Sequence, residues 1–274
     1  MDVKRDPAVV VAAVQALALD CSRLLESLQE INRGDKEPLY KCQNMCKQCL
    51  SEKATSSVET KLQQYAQAML DFTFYTESIL TDEEFPQERC QSQVEKLLKQ
   101  LEIPLELAQK VLPQKQIADI LGVEIYECVR WRQGALLYML CSIINEDDNR
   151  RERNKDCFLQ NILKGVEYLT GMLSIQRSKN ANFSCNDEQT YNLVKEGIYS
   201  DTHVLNLMYT GEMCYWYLQN MNQNAESNSK DSVSLAMKGK AALQTYLRLT
   251  EGPLKSCGWS SDRAIQLLNT PYFS

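Results

Sequence analysis

A chain of 274 residues, 44% of them hydrophobic, has ample material for a buried core, whether as one large domain or two small ones. Its net charge of −6 and its interleaved basic and acidic residues argue against nucleic acid or an anionic membrane as the main partner. The eleven cysteines, an odd number lying mostly inside helical patterns, point to reduced thiols in the cytosol.

Lys4-Arg5 ahead of the apolar run Ala8 to Leu19 has the outline of a signal peptide. Val10, Val14, Leu17, Cys21, Leu24, Leu28 and Ile31, however, carry one 4,3 stripe past any cleavage point. With Asp6-Pro7 at its start and Gly34 as its stop, the stretch reads as an amphipathic helix. Pro38 to Ser51 predicts a short helix with Leu39, Cys42, Cys46 and Cys49 on one face. Ser56-x-x-Glu59 has the form of a capping box. The helix it opens places Val58, Leu62, Tyr65, Met69, Phe72, Thr76 and Ile79 on one stripe and ends in the acidic turn Thr81 to Pro86.

Val94, Leu97, Leu98 and Leu101 mark a further helix that Pro104 is expected to close, with a separate short helix over Leu105 to Leu112. Ile120 to Ile144 follows, and from Gly134 onward it has no charged residue. Such a run is too short to cross a bilayer, and its Leu, Met and Ala content favours a buried central helix. Glu146-Asp147-Asp148 and Arg150 to Lys155 read as a solvated helical face, with i,i+4 spacing for Glu146/Arg150 and Asp147/Arg151. Leu159, Ile162, Val166, Leu169 and Leu173 form the next stripe, followed by a polar loop over 176–186 and a helix near Glu188 to Ile198.

Ser200-Asp201 signals the start of a second core helix, Thr202 to Leu218, apolar on more than one face. Gly134 and Gly211 are costly inside helices, so they are expected to mark where the two core helices approach closely. Arg132 and Glu212, each near a Trp, make an ion pair between these helices a natural hypothesis, since an unpaired buried charge is costly; the other reading is that both side chains reach solvent at the edge of the core. Asn220 to Asp231 is polar and without periodicity, a flexible linker-like stretch. Leu235, Gly239, Ala242, Tyr246 and Leu249 make a late helix stopped by Glu251-Gly252-Pro253, and Ser261 to Asn269 is the last. With no alternating strand pattern, the fold class is all-α: an irregular multi-helix bundle or short solenoid of antiparallel helix pairs around two buried central helices. Residues 1–274 are expected to form a single domain.

Few motifs carry chemistry. Cys42-x-x-x-Cys46-x-x-Cys49 matches the spacing of a three-thiolate cluster loop. Gln48 stands where such a loop carries an aromatic residue, and the surrounding pattern is helical. At i, i+4 and i+7 these thiols share a helix face and act as small core hydrophobes; a metal or redox role for them is the alternative reading. His203, the single histidine, sits at a helix start, three turns from Cys214. No nucleophile elbow, phosphate loop or paired metal-binding histidines occur. The expectation is therefore no catalytic, cofactor-binding or metal-binding residues and no cofactor.

Four stretches carry a resemblance: Asp71 to Pro86 (DFTFYTESILTDEEFP), Glu127 to Cys141 (ECVRWRQGALLYMLC), Gly197 to Trp216 (GIYSDTHVLNLMYTGEMCYW) and Glu251 to Trp259 (EGPLKSCGW). In this order and spacing the chain resembles the family of Rab-interacting subunits of the Mon/Ccz complex, over roughly residues 58–269. The resemblance implies a non-enzymatic, cytoplasmic helical adaptor. Its implied partners are the Mon/Ccz subunits and the late-endosomal Rab GTPase on which that exchange complex acts, in endolysosomal traffic and the autophagy of damaged mitochondria. It implies neither a transmembrane segment nor a nucleic-acid partner. A free-standing helical scaffold for an unrelated partner is the other reading of the same fold.

Overall fold

The computed structural model describes residues 7–29, 34–51, 56–179, 199–222 and 230–273. Among them are eleven α-helices and no strand, so the chain is all-α. The predicted helix near Glu188 to Ile198 and the middle of the linker-like stretch, 223–229, lie outside the described residues. The chain divides into two compact units, 1–129 and 130–274.

Unit 1 holds α1 (Pro7–Ser27), α2 (Glu37–Ser51), α3 (Val58–Asp82), α4 (Cys90–Val111), α5 (Ile117–Leu121) and the first turns of α6 (Val123–Glu146). It is built around α3, which packs against α1, α2, α4 and α5. Of the predicted stripe, Leu62, Tyr65, Met69 and Phe72 are buried and Val58, Thr76 and Ile79 half-buried, while Ala66, Ala68, Leu70, Thr73, Tyr75 and Leu80 are buried as well. Only two charges, Asp71 and Glu77, occur between Leu62 and Leu80, so most sides of α3 can lose water cheaply. Thr73 is accommodated by donating its hydroxyl to the carbonyl of Met69 at 2.8 Å. The N-cap is Ser57 and not Ser56: its hydroxyl accepts the Thr60 N–H at 3.1 Å. Glu59 instead pairs with Lys115 across 2.8 Å.

Of the α1 stripe, Val10, Val14, Leu17, Cys21 and Leu28 are buried against α2 and α3 and Leu24 is half-buried, while Ile31 lies outside the described residues; the helix ends at Ser27 rather than running to Gly34. By length and composition Ala8–Ser27 could cross a membrane, the one such helix among the described residues. Pro104 does not divide α4, which runs unbroken from Cys90 to Val111. An internal proline costs about 3 kcal/mol through its missing donor and its clash with the preceding turn. Leu97, Leu101, Leu105, Ala108 and Val111 keep one buried face across it, and that burial outweighs the cost. The predicted central helix is interrupted instead: α5 ends at Leu121, and α6 begins at Val123 after Gly122 with φ +86°. That conformation costs glycine nothing and a residue with a side chain a good deal.

Unit 2 holds the rest of α6, α7 (Asp148–Arg153), α8 (Lys155–Lys179), α9 (Asp201–Asn222), α10 (Lys230–Glu251) and α11 (Asp262–Leu268). Its centre is α9, in which no described side chain after Asp201 is exposed and which packs on α8, α10 and α11. The acidic-basic run after α6 is not simply a solvated face. Asp147 caps α7 by accepting the Arg150 N–H at 3.1 Å, Arg151 pairs with Asp148 at i,i+3, and Arg150 is buried.

The two mid-helix glycines mark two separate close approaches, not one between α6 and α9. A Cβ on Gly134 would lie 2.6 Å from Leu169 Cγ and 3.3 Å from the Leu169 backbone nitrogen, on α8; a Cβ on Gly211 would overlap Leu243 Cγ and Cδ2, on α10.

Candidate functional site

Two side-chain clusters gather the chemistry-bearing residues, one in each unit. In unit 1, Cys42, Cys46 and Cys49 share the buried face of α2, each at most 2% exposed, because i, i+4 and i+7 fall on one side of a helix. Cys21 joins them from α1, donating its thiol to the carbonyl of Leu39 at 3.2 Å; the 18-residue separation carried no sequence signal. Contact with the Cys21 and Cys46 thiols, together with burial, pushes the Cys42 thiol far above the ordinary range. Hydrogen bonding from Cys42 draws Cys21 and Cys46 down. Among the described residues no group of three His, Cys, Asp or Glu side chains is placed to hold a metal ion.

In unit 2, α6 and α9 meet through rings. Trp131 stacks on Tyr209 at 5.6 Å, Tyr209 on Tyr138 at 3.6 Å, and Tyr138 on Trp216 at 5.3 Å. The ladder confirms that the two core helices pair, with aromatic faces rather than glycines at their contact. Glu212, buried on α9, accepts the Tyr138 hydroxyl at 2.6 Å and the Arg263 Nε–H at 2.8 Å. Its cationic partner is therefore Arg263 of α11 and not Arg132. The need for a counter-charge was legible in the sequence; its source, 51 residues further on, was not. His203 is also buried, stacked on Tyr199 at 4.3 Å, with Nδ1 accepting the Ser200 N–H at 3.2 Å. It ties down the start of α9, on the same helix as Cys214 but three turns before it.

Burial, then the adjacent Glu212 carboxylate, pushes the Tyr138 phenol far above its ordinary value of 10.0, and burial pushes Tyr65 in unit 1 up to about 12. Both phenols are protonated in the folded chain, whereas unfolded phenols ionise near pH 10. The stability they contribute is complete below pH 10 and is lost as pH rises past it. The urea midpoint is expected to fall between about pH 9 and pH 11, and phenolate absorbance should show fewer tyrosines titrating in the native protein than in denaturant. Equal titration in both would contradict the assigned burial.

These clusters define a class: an all-α protein in which two of the recognisable stretches, on α6 and α9, build a half-buried aromatic ladder around the buried Glu212. The chain belongs to the family described as RAB7A-interacting MON1-CCZ1 complex subunit 1, whose model matches residues 36–274. A protein of that name from Danio rerio is 36% identical over 219 residues, covering 78% of this chain and 79% of the relative. The Mus musculus and Homo sapiens proteins of the same name are 33% and 34% identical over 239 residues, covering 81% of each chain. No solved structure matches.

Proposed function

We propose that this chain is a non-enzymatic helical adaptor that assembles with a MON1-CCZ1 complex and, with it, bears on RAB7A. The observation that carries this reading is the family match from residue 36 to the end of the chain, together with relatives covered over about four fifths of their own length whose names state that association. The chain would work in the cytosol and reach endolysosomal or mitochondrial surfaces through its partners, serving endolysosomal traffic and the autophagy of damaged mitochondria.

Tagged chain expressed in cells is expected to co-purify MON1, CCZ1 and RAB7A. Added to RAB7A alone, the purified chain should leave the rate of nucleotide release unchanged. Absence of MON1 and CCZ1 from a clean pull-down would count heavily against the assignment, and accelerated release by the chain alone would contradict the non-enzymatic reading.

A further inference from the structure

Cys21 of α1 and Cys42 of α2 meet where the two helices pack, and both are fully buried. Three contacts fix the first against the second. The Cys21 thiol donates to the carbonyl of Leu39, one turn before Cys42, at 3.2 Å. The two thiols are hydrogen-bonded to each other. Beside them the Ser22 hydroxyl accepts the side-chain amide of Gln43 at 3.3 Å.

Of the thiols gathered here, this pair is the one that can be joined. A disulfide needs Cβ atoms about 3.5 to 4.5 Å apart, whereas residues three and four apart on one helix hold theirs at about 5 to 6 Å. Cys42 therefore cannot close on Cys46, nor Cys46 on Cys49, without unwinding α2. Cys21 comes from another helix, and that limit does not apply to it. The pair is also polarised. Hydrogen bonding from Cys42 draws the Cys21 thiol below its ordinary range, burial opposing it and the Gln43 backbone adding to it, while Cys42 is held protonated. The thiolate is the attacking form, so Cys21 reacts first and Cys42 second.

We propose that Cys21 and Cys42 form an oxidative modification site, in which an oxidant of the peroxide class joins them into a disulfide that locks α1 onto α2. The Cys21 thiolate attacks one peroxide oxygen and the O–O bond breaks, leaving a sulfenic acid and hydroxide. That hydroxide takes the Cys42 proton. The Cys42 thiolate then attacks the Cys21 sulfur, and the S–S bond forms as hydroxide leaves to take up the proton that Cys21 gave to solvent. Two thiols have lost two electrons and two protons, and hydrogen peroxide has become two waters. Because both sulfurs are buried, the oxidant reaches them when α1 lifts from α2 and α3; once closed, the bridge prevents that opening. Cys21 lies ahead of the residues that match the family and Cys42 within them, so the bridge ties α1 to the matched region.

The full-length chain treated with hydrogen peroxide is expected to become two hydrogens lighter and to yield a linked Cys21–Cys42 peptide on digestion. Amides of α1 should then exchange at least about tenfold more slowly than in the reduced chain, and dithiothreitol should reverse both changes. Cys21→Ala and Cys42→Ala should each abolish the link and the slowed exchange, whereas Cys49→Ala should keep both. Should a variant fail to fold, the wild-type peptide map and exchange rates decide alone. Oxidation that stops at the exposed Cys257, a link between any other pair, or a Cys21–Cys42 link that leaves the exchange of α1 unchanged would each overturn the proposal.

Discussion

Gly134→Leu and Gly211→Leu are each expected to destabilise the second unit strongly and lower its melting midpoint. At position 134 even the first atom of a side chain would meet Leu169 Cγ at 2.6 Å and the Leu169 nitrogen at 3.3 Å. Leu169 is fully buried, so it cannot swing into solvent, and its backbone cannot retreat without moving α8. At position 211 the obstacle is Leu243, equally buried. Overpacking a dense core by a few methylenes costs about 1 to 3 kcal/mol and sometimes more, against a total stability of roughly 5 to 15 kcal/mol.

The alanine variants give the sharper test, because an exposed mid-helix Gly→Ala change stabilises by up to about 1 kcal/mol, whereas here the sign should reverse. Since the two glycines face different helices, α8 and α10, their effects should also add to within about 0.5 kcal/mol in the double variant. Urea melts of the three alanine variants read both points. A rise in midpoint for either single variant would show that its glycine is not a close-contact position.

The distance between sequence and structure lies in what a local pattern can encode. Periodicity reports the face that must be buried, and the stripes on α1, α2 and α10 are buried as their spacing predicts. It is silent about a second buried face, which depends on how many neighbours a helix acquires. The central place of α3 was accordingly visible only as a scarcity of charge between Leu62 and Leu80. Pro104 and Gly122 show local propensity failing in opposite directions. The proline reads as a stop, yet burial on both sides of it carries α4 through. The glycine lies in a run with no turn dipeptide and yet breaks it with a positive φ. The chemistry followed the same rule: three thiols of the unit 1 cluster share one helix and were legible, while Cys21 arrives from another helix. The spacing of that same α10 stripe leaves Val233 and Met237 on the far side of the helix, where they are exposed.

Arg263→Ala is the second substitution expected to have a large effect, and it tests the centre of unit 2. The guanidinium stands at the edge, its side chain 43% exposed, while the Glu212 side chain is 11% exposed. Removing the arginine leaves a buried carboxylate with the Tyr138 hydroxyl as its remaining partner in that cluster. A buried ion deprived of its counter-charge typically costs about 3 to 5 kcal/mol; water reaching in from the arginine side should hold the loss near the lower figure. Glu212→Gln in the Arg263→Ala background should then recover part of the stability, since the amide oxygen can still accept from Tyr138 while the uncompensated charge is gone. Glu212→Gln alone should destabilise, because it removes a charge-assisted bond from an intact pair. The opposite signs of one substitution in two backgrounds are what a coupled ion pair requires. If Glu212→Gln lowered stability equally with and without the arginine, the two side chains would be energetically independent. The stability of this centre would then rest on the aromatic ladder from Trp131 to Trp216.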